Sequence, residues 1–171
     1  MNKRILMVIA RENFRDEELL VPKRLFLENK YEVEVASDGV ERAKGMLGAK
    51  TDVDIDISEV DVSDYNAVVF VGGSGVDESK VYENRDYLNV AKAASYKGKI
   101  VAAICLASKV LANAGLLSGR KASCYESAIN YIKSKGANYV GEKVVQDGRI
   151  ITAPNPGFAK EFGEKIIKAL A

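Results

Sequence analysis

The sequence predicts an α/β fold whose mostly parallel sheet is covered by helices on both faces, and three observations predict it. Short apolar runs of strand length (RILMVIA at 4–10, AVVFV at 67–71 and KIVAAI at 99–104) read as strands buried on both faces. Amphipathic stretches of helical length separate them. Strand and helix alternate from end to end, as parallel neighbours joined by helical crossovers require. The 171 residues suit one domain and suffice for a core without disulfide or metal support. No repeat, low-complexity tract or linker divides them.

Taken in order, residues 4–10 form the first strand. Two basic residues precede this apolar run, as in a leader peptide. No small-residue cleavage site follows, however, and the chain runs on into RENFRDEELL, so a strand is the better reading. A helix over 16–29 sets Leu19, Leu20, Leu25, Phe26 and Leu27 near helical spacing, and Pro22 either kinks it or falls in its first turns. YEVEVAS at 31–37 alternates as a strand does. TDVDIDI at 51–57 places Val53, Ile55 and Ile57 on one face and reads as an antiparallel or edge excursion. The strand at 67–71 ends at Gly72-Gly73, a helix over 81–96 stops at Gly98, and the strand at 99–104 follows. A helix over 106–117 closes at Gly119. Next come a short strand at 121–124, a helix over 127–135, a hairpin over 140–153 turning at Asp147-Gly148, and a last helix over 158–170. In such sheets the ligand site lies at the carboxyl ends of the strands.

Composition excludes several functions. With 25 basic and 24 acidic residues the net charge is +1, so no electrostatic footprint for nucleic acid or an anionic membrane exists. No apolar run approaches the ~20 residues of a membrane span, and the cytosol is the expected compartment. Two cysteines, Cys105 and Cys124, are too few for a disulfide framework or a four-ligand zinc site, and are expected to be free thiols. Histidine is absent altogether, which removes the usual general base and every Cys-His dyad. No cofactor is expected: Gly72-Gly73-Ser74-Gly75 has neither dinucleotide-binding spacing nor a Lys-Ser/Thr pair.

Chemistry concentrates in GKIVAAICLASKVLANAGLLSGRK. A buried strand ends at Ile104, Cys105 follows, and a helix begins at once. That turn presents a side chain at the carboxyl edge of the sheet, often on strained backbone. At a helix N-terminus the thiol is expected below its ordinary ~8.5. The N–H of Leu106 would point to where an oxyanion forms, and Gly72-Gly73 admit a second N–H without an obstructing Cβ. A cysteine in an apolar run is equally read as a small core residue. Position alone leaves the two readings even.

Four segments resemble the ThiJ/PfpI superfamily in its own order: EELLVP, VVFVGG, AAIC with the helix ending in AGLLSGRK, and DGRIITAPNPGFAKEF. The resemblance implies a flavodoxin-like three-layer sandwich and a nucleophilic cysteine at Cys105. It also implies an acidic partner four residues before a proline, here Glu18 before Pro22, and oxyanion donors around Gly72, Gly73 and Leu106. The peptidase-type members carry His directly after the cysteine, where this chain has Leu106. Tyr125 stands where other members have a His, and Asp77 is the nearest match to an acidic residue those peptidases use from a neighbouring subunit. The missing His argues against peptide hydrolysis, which needs an acid for the leaving amine, and against a glutamine amidotransferase, which shares the fold.

Two functions follow as expectations. One is glyoxalase- or deglycase-like hydrolysis of reactive carbonyls, free or carried on protein side chains, with Cys105 attacking and Glu18 moving the proton. The other is a redox-responsive or chaperone-like protein in which Cys105 oxidises without turnover. The resemblance further implies a homodimer or larger homo-oligomer. Cys124 reads as a buried strand residue rather than a resolving thiol, because alternation turns it and Tyr125 to opposite sides.

Overall fold

A computed structural model describes residues 2–171. Its main sheet has seven strands. In chain order they are β1 (Arg4–Val8), β3 (Glu32–Ser37), β6 (Ile55–Asp56), β7 (Ala67–Phe70), β8 (Ile100–Ile104), β11 (Val145–Asp147) and β12 (Ile150–Ala153). The small strands β2 (Glu12–Phe14), β4 (Arg42–Gly45) and β5 (Lys50–Asp52) form a second sheet, and β9 (Lys121–Ala122) pairs with β10 (Asn138–Tyr139) in a third. The helices are α1 (Asp16–Glu28), α2 (Gly75–Glu78), α3 (Arg85–Tyr96), α4 (Ser108–Asn113), α5 (Ile129–Ser134) and α6 (Ala159–Leu170).

The main sheet runs β11-β12-β8-β7-β1-β3-β6, parallel except for β11. Every residue of β7 and β8 is buried, as unbroken apolar runs demand. Helices α1 and α6 pack together and against β3, β8 and β12, while α3 and α4 pack against each other and against β7 or β8. Helical layers thus flank a flavodoxin-like sheet. Where α6 crosses α1, a Cβ on Gly163 would lie 3.2 Å from Pro22 Cα and 3.0 Å from Leu25 Cδ1, so a side chain there would push the helices apart. Pro22 falls within α1 and packs at this crossing.

Several local expectations change. Residues 12–14, given no element beforehand, pair with β4 before α1 begins. The alternating stretch 51–57 divides, Lys50–Asp52 pairing antiparallel with β4 while Ile55–Asp56 becomes the parallel edge of the main sheet. The helix over 81–96 breaks at Asn84, whose side chain caps α3 by accepting from the Asp86 N–H at 2.9 Å. The helix after Cys105 stops at Ala114, ahead of Gly115 at φ +81°, rather than reaching Gly119. Residues 121–122 leave the main sheet to pair with 138–139, and Cys124 lies beyond that strand. The hairpin turns at Asp147-Gly148 as expected, with Gly148 at φ +62°.

Candidate active site

Adjacent strand ends build the site. Strands β7 and β8 are paired with Phe70 opposite Ala103, so the chain leaving β7 passes the residue that follows β8. That residue is Cys105. Ile104 is extended, Cys105 takes φ +63°, and a 3₁₀ turn over Cys105–Ala107 leads into α4. A non-glycine residue in this left-handed region costs on the order of 1–3 kcal/mol, and a sharp reversal that lifts the side chain to the sheet edge is what the strain maintains.

The glycines after β7 are required by close approach. A Cβ on Gly72 would stand 2.6 Å from Glu18 Oε1, 2.6 Å from the Ile104 carbonyl oxygen and 2.7 Å from Cys105 Cβ. Gly73 has φ +114°, and a Cβ there would overlap the Arg15 backbone nitrogen and reach 2.5 Å from the Asn13 carbonyl oxygen. Three segments therefore meet at this pair: the link from β2 to α1, the exit of β7 and the turn after β8. The Arg15 N–H donates to the Gly72 carbonyl at 2.9 Å and locks the first two together.

Glu18, in the first turn of α1, is completely buried. Its Oε1 accepts the Gly72 N–H at 2.9 Å. Its Oε2 is sealed from solvent with no hydrogen-bond partner among the described residues. Burial lifts this carboxyl to about 8, against the lowering effects of Cys105, the Gly72 N–H and Arg15. A neutral acid with a free O–H is the form such an environment favours.

Burial also pushes the Cys105 thiol up, and a charged Glu18 pushes it further, whereas the N–H groups of Leu106 and Gly73 oppose both. The expected depression by a helix N-terminus is not what the structure shows. The segment after Cys105 is a 3₁₀ turn and a six-residue helix, and the sulfur is almost enclosed, so desolvation exceeds the helical contribution. When Glu18 keeps its proton its repulsion disappears and it turns from anion to donor. Carboxyl and thiol act as one coupled pair.

Arg15, Met46, Tyr125 and Pro156 wall the pocket above the sulfur, with Gly73, Ser74 and Leu106 at its base; its volume is about 160 Å³. Of the residues singled out from sequence, Cys105, Glu18, Gly72, Gly73, Leu106 and Tyr125 come together here. Asp77 does not. It lies on α2, where Lys109 Nζ pairs with it at 2.7 Å beneath the Tyr82 ring, 3.9 Å from that ammonium. Cys124 is buried, pushed up to about 12 by burial, and lines a neighbouring cleft rather than this pocket. Sequence reasoning missed Arg15, whose guanidinium is held by Glu17 through hydrogen bonds of 3.0 and 2.9 Å. Its only signal was a cation immediately ahead of the acidic first turn, the complement of Glu17 two residues on. Among the described residues no cluster of His, Cys, Asp and Glu is placed to hold a metal, and no helix is long and apolar enough to cross a membrane.

This topology, with a cysteine raised on a strained strand-to-helix turn beside a buried glutamate, defines a flavodoxin-like α/β protein. Within that class the chain belongs to the DJ-1/PfpI family, whose model matches residues 3–169. It is 43% identical over 171 residues to an uncharacterised protein of Methanocaldococcus jannaschii, covering 99% of this chain and 83% of that one. To the deglycase PfpI of Pyrococcus furiosus it is 29% identical over 167 residues, 98% of this chain and 99% of the other. The crystal structure of a ThiJ/PfpI domain protein from Brachyspira murdochii superposes with a TM-score of 0.95 at 33% identity, covering 99% and 98% of the two chains.

Proposed function

We propose that the chain hydrolyses reactive dicarbonyls, free or as adducts on side chains, through Cys105. The observation that carries this reading is the sealed, unpartnered Oε2 of Glu18 beside the sulfur. A proton held there has one service to perform, exchange with the thiol and the bound substrate. The deglycase name of the Pyrococcus furiosus relative supports the substrate class.

The steps balance without a cofactor. The Cys105–Glu18 pair first loses one proton to solvent, leaving a thiolate beside the protonated carboxyl, and the sulfur then adds to the aldehyde carbon of an α-oxoaldehyde, forming a C–S bond and an oxyanion that the Leu106 and Gly73 N–H groups stabilise. Glu18 gives its proton to that oxygen, takes the hydrogen of the same carbon as a proton and returns it to the neighbouring carbonyl carbon, while the hydroxyl proton passes from the first oxygen to the second. The aldehyde carbon is thereby oxidised to a thioester and the ketone carbon reduced to an alcohol. Water cleaves the C–S bond and releases a 2-hydroxy acid. An adduct carried on nitrogen or sulfur first loses its carrier as the free amine or thiol.

The enclosure of Cys105 favours turnover over peroxide sensing, because oxidation follows thiolate character and exposure. The test is lactate formation from methylglyoxal. The wild-type protein should show saturable turnover, Cys105→Ala none, and Glu18→Gln a loss of about 10²–10⁴-fold. Equal lactate formation by wild type and Cys105→Ala would overturn the proposal.

A further inference from the structure

The proposed reaction develops negative charge on two oxygens in turn. The first is the oxyanion on the aldehyde carbon, which the N–H groups of Leu106 and Gly73 oppose. The second follows when the hydrogen of that carbon leaves as a proton to Glu18. The electron pair of the C–H bond then moves into the neighbouring carbonyl, whose oxygen is an enediolate anion until a proton returns to the ketone carbon. Such charge calls for a fixed cation or hydrogen-bond donor, and a chain without histidine has no imidazolium to offer.

Among the described residues, Arg15 is the one charged side chain in the walls of the pocket, the thiol aside. In a volume of about 160 Å³ a three-carbon dicarbonyl lies within reach of every wall. The pocket shares Arg15, Tyr125 and Pro156 with the adjoining cleft, so Arg15 stands at the throat between the two. Its backbone is fixed: the Arg15 N–H donates to the Gly72 carbonyl at 2.9 Å, and a Cβ on Gly73 would overlap the Arg15 nitrogen. Its side chain is clamped by Glu17, which accepts from Nε at 3.0 Å and from Nη2 at 2.9 Å. No acceptor among the described residues engages Nη1, whose hydrogens remain for a substrate oxygen. The hydrogen bond to Glu17 strengthens the guanidinium's hold on its proton, and charge on Glu18 or Cys105 does the same, so both reactive groups feel this cation.

We infer that Arg15 is a further catalytic residue, binding the ketone oxygen of the substrate through Nη1 and carrying the enediolate charge, with Glu17 as the residue that positions it. The inference rests on the function proposed above and adds a group to it. A guanidinium suits the task, because it stays charged wherever the thiolate forms and holds its donors in one plane. Arg15 gives up no proton. The electron pair released from the C–H bond rests on the oxygen facing it and returns to form the new C–H bond at the ketone carbon.

The experiment measures lactate formation from methylglyoxal and, beside it, alkylation of Cys105 by iodoacetamide followed by mass spectrometry, each at the plateau of its pH profile. Arg15→Gln should lower kcat by about 10²–10³-fold with little change in KM, since the ketone oxygen becomes charged only beyond the ground state. Its alkylation rate should match the wild-type rate, because alkylation follows the thiolate and places no charge on a carbonyl oxygen. Arg15→Lys, which keeps the charge but not the planar fork, should recover part of the loss. Glu17→Gln should cost about tenfold in kcat by itself and nothing further in the Arg15→Gln background, as residues acting as one unit do. An unchanged kcat in Arg15→Gln, a change in KM alone, or an equal fall in alkylation overturns the inference, while lactate formation by the wild-type protein sustains the parent reading. A wild-type protein that forms no lactate overturns the parent reading and the inference with it.

Discussion

Cys105 and Glu18 each carry a cost that stability and rate measurements can read separately. Cys105 sits at φ +63°, so Cys105→Gly, which removes the Cβ, should be more stable than Cys105→Ala by about 1 kcal/mol in chemical denaturation. Glu18 retains its proton in the fold up to about 8 and loses it near 4.5 when unfolded. The folded state therefore binds more protons between those values, and the stability this contributes is complete below about 4.5 and falls as pH rises toward about 8. Glu18→Gln does not titrate but keeps an acceptor for the Gly72 N–H, so its stability relative to wild type should rise across that window and level off above it. The rate profile should respond as well. The wild-type rate should climb with an apparent pKa near 8 belonging to the pair, and Glu18→Gln should move the limb upward, since burial alone holds the thiol above its ordinary value. A limb that stays in place would show that Glu18 and Cys105 are not coupled. Both residues could be singled out from sequence, Cys105 by its strand–helix junction and Glu18 by the family's offset to Pro22. The sign of the thiol's shift could not, because it depends on how completely neighbouring chain encloses the sulfur.

At the scale of elements, short irregular pieces hold the site more than long helices do. Asp16 is buried at the start of α1, and its carboxylate accepts the N–H groups of Leu47 at 3.0 Å and Ala49 at 2.8 Å. That contact anchors the turn carrying Met46, one wall of the pocket. Asp16→Ala should cost about 1–3 kcal/mol and lower Tm by roughly 2–4 °C per kcal/mol, with KM for methylglyoxal changed through the displaced Met46. Gly75 opens α2 where a Cβ would overlap the Glu12 carbonyl and lie 2.9 Å from Ala10 Cβ. Gly75→Ala should destabilise by a further ~1–3 kcal/mol through overpacking, measurable as a lower denaturation midpoint. Neither element was legible beforehand. Strand β2 and helix α2 span three and four residues, too short for any periodicity to declare itself, and contacts distant in sequence form them.

For the whole molecule, stability resides in the buried sheet and its helical layers rather than in surface charge. Three ion pairs, Arg24–Glu28, Arg42–Asp52 and Lys160–Glu164, have well-exposed side chains on both partners. Such pairs contribute about 0–1 kcal/mol each and weaken in salt. Raising salt from about 0.1 M to about 1 M should therefore shift Tm by no more than about 4 °C. A large drop would assign the electrostatics a role the geometry does not support. Among the described residues, Lys109, paired with Asp77 between α4 and α2, is the most buried cation of an ion pair. Lys109→Met should cost more than loss of either helical i,i+4 pair, because it leaves Asp77 without its cation and strips Tyr82 of the ammonium over its ring.

Sequence by itself determined the α/β class, the parallel character of the buried strands and the place of Cys105 at a strand-to-helix turn. These follow from local periodicity and from the rule that strands buried on both faces read as unbroken apolar runs. The tertiary structure alone decided which strand ends are neighbours. Pairing of β7 with β8 sets Gly72-Gly73 against Cys105 and brings Glu18 across fifty-four residues onto the Gly72 N–H, while Asp77 pairs with Lys109. It also raised the thiol's pKa, moved Cys124 into the adjoining cleft and placed Arg15 at the throat. Periodicity reports which face of an element is buried. Desolvation and charge pairing depend on what stands opposite that face, and only the packed chain supplies it.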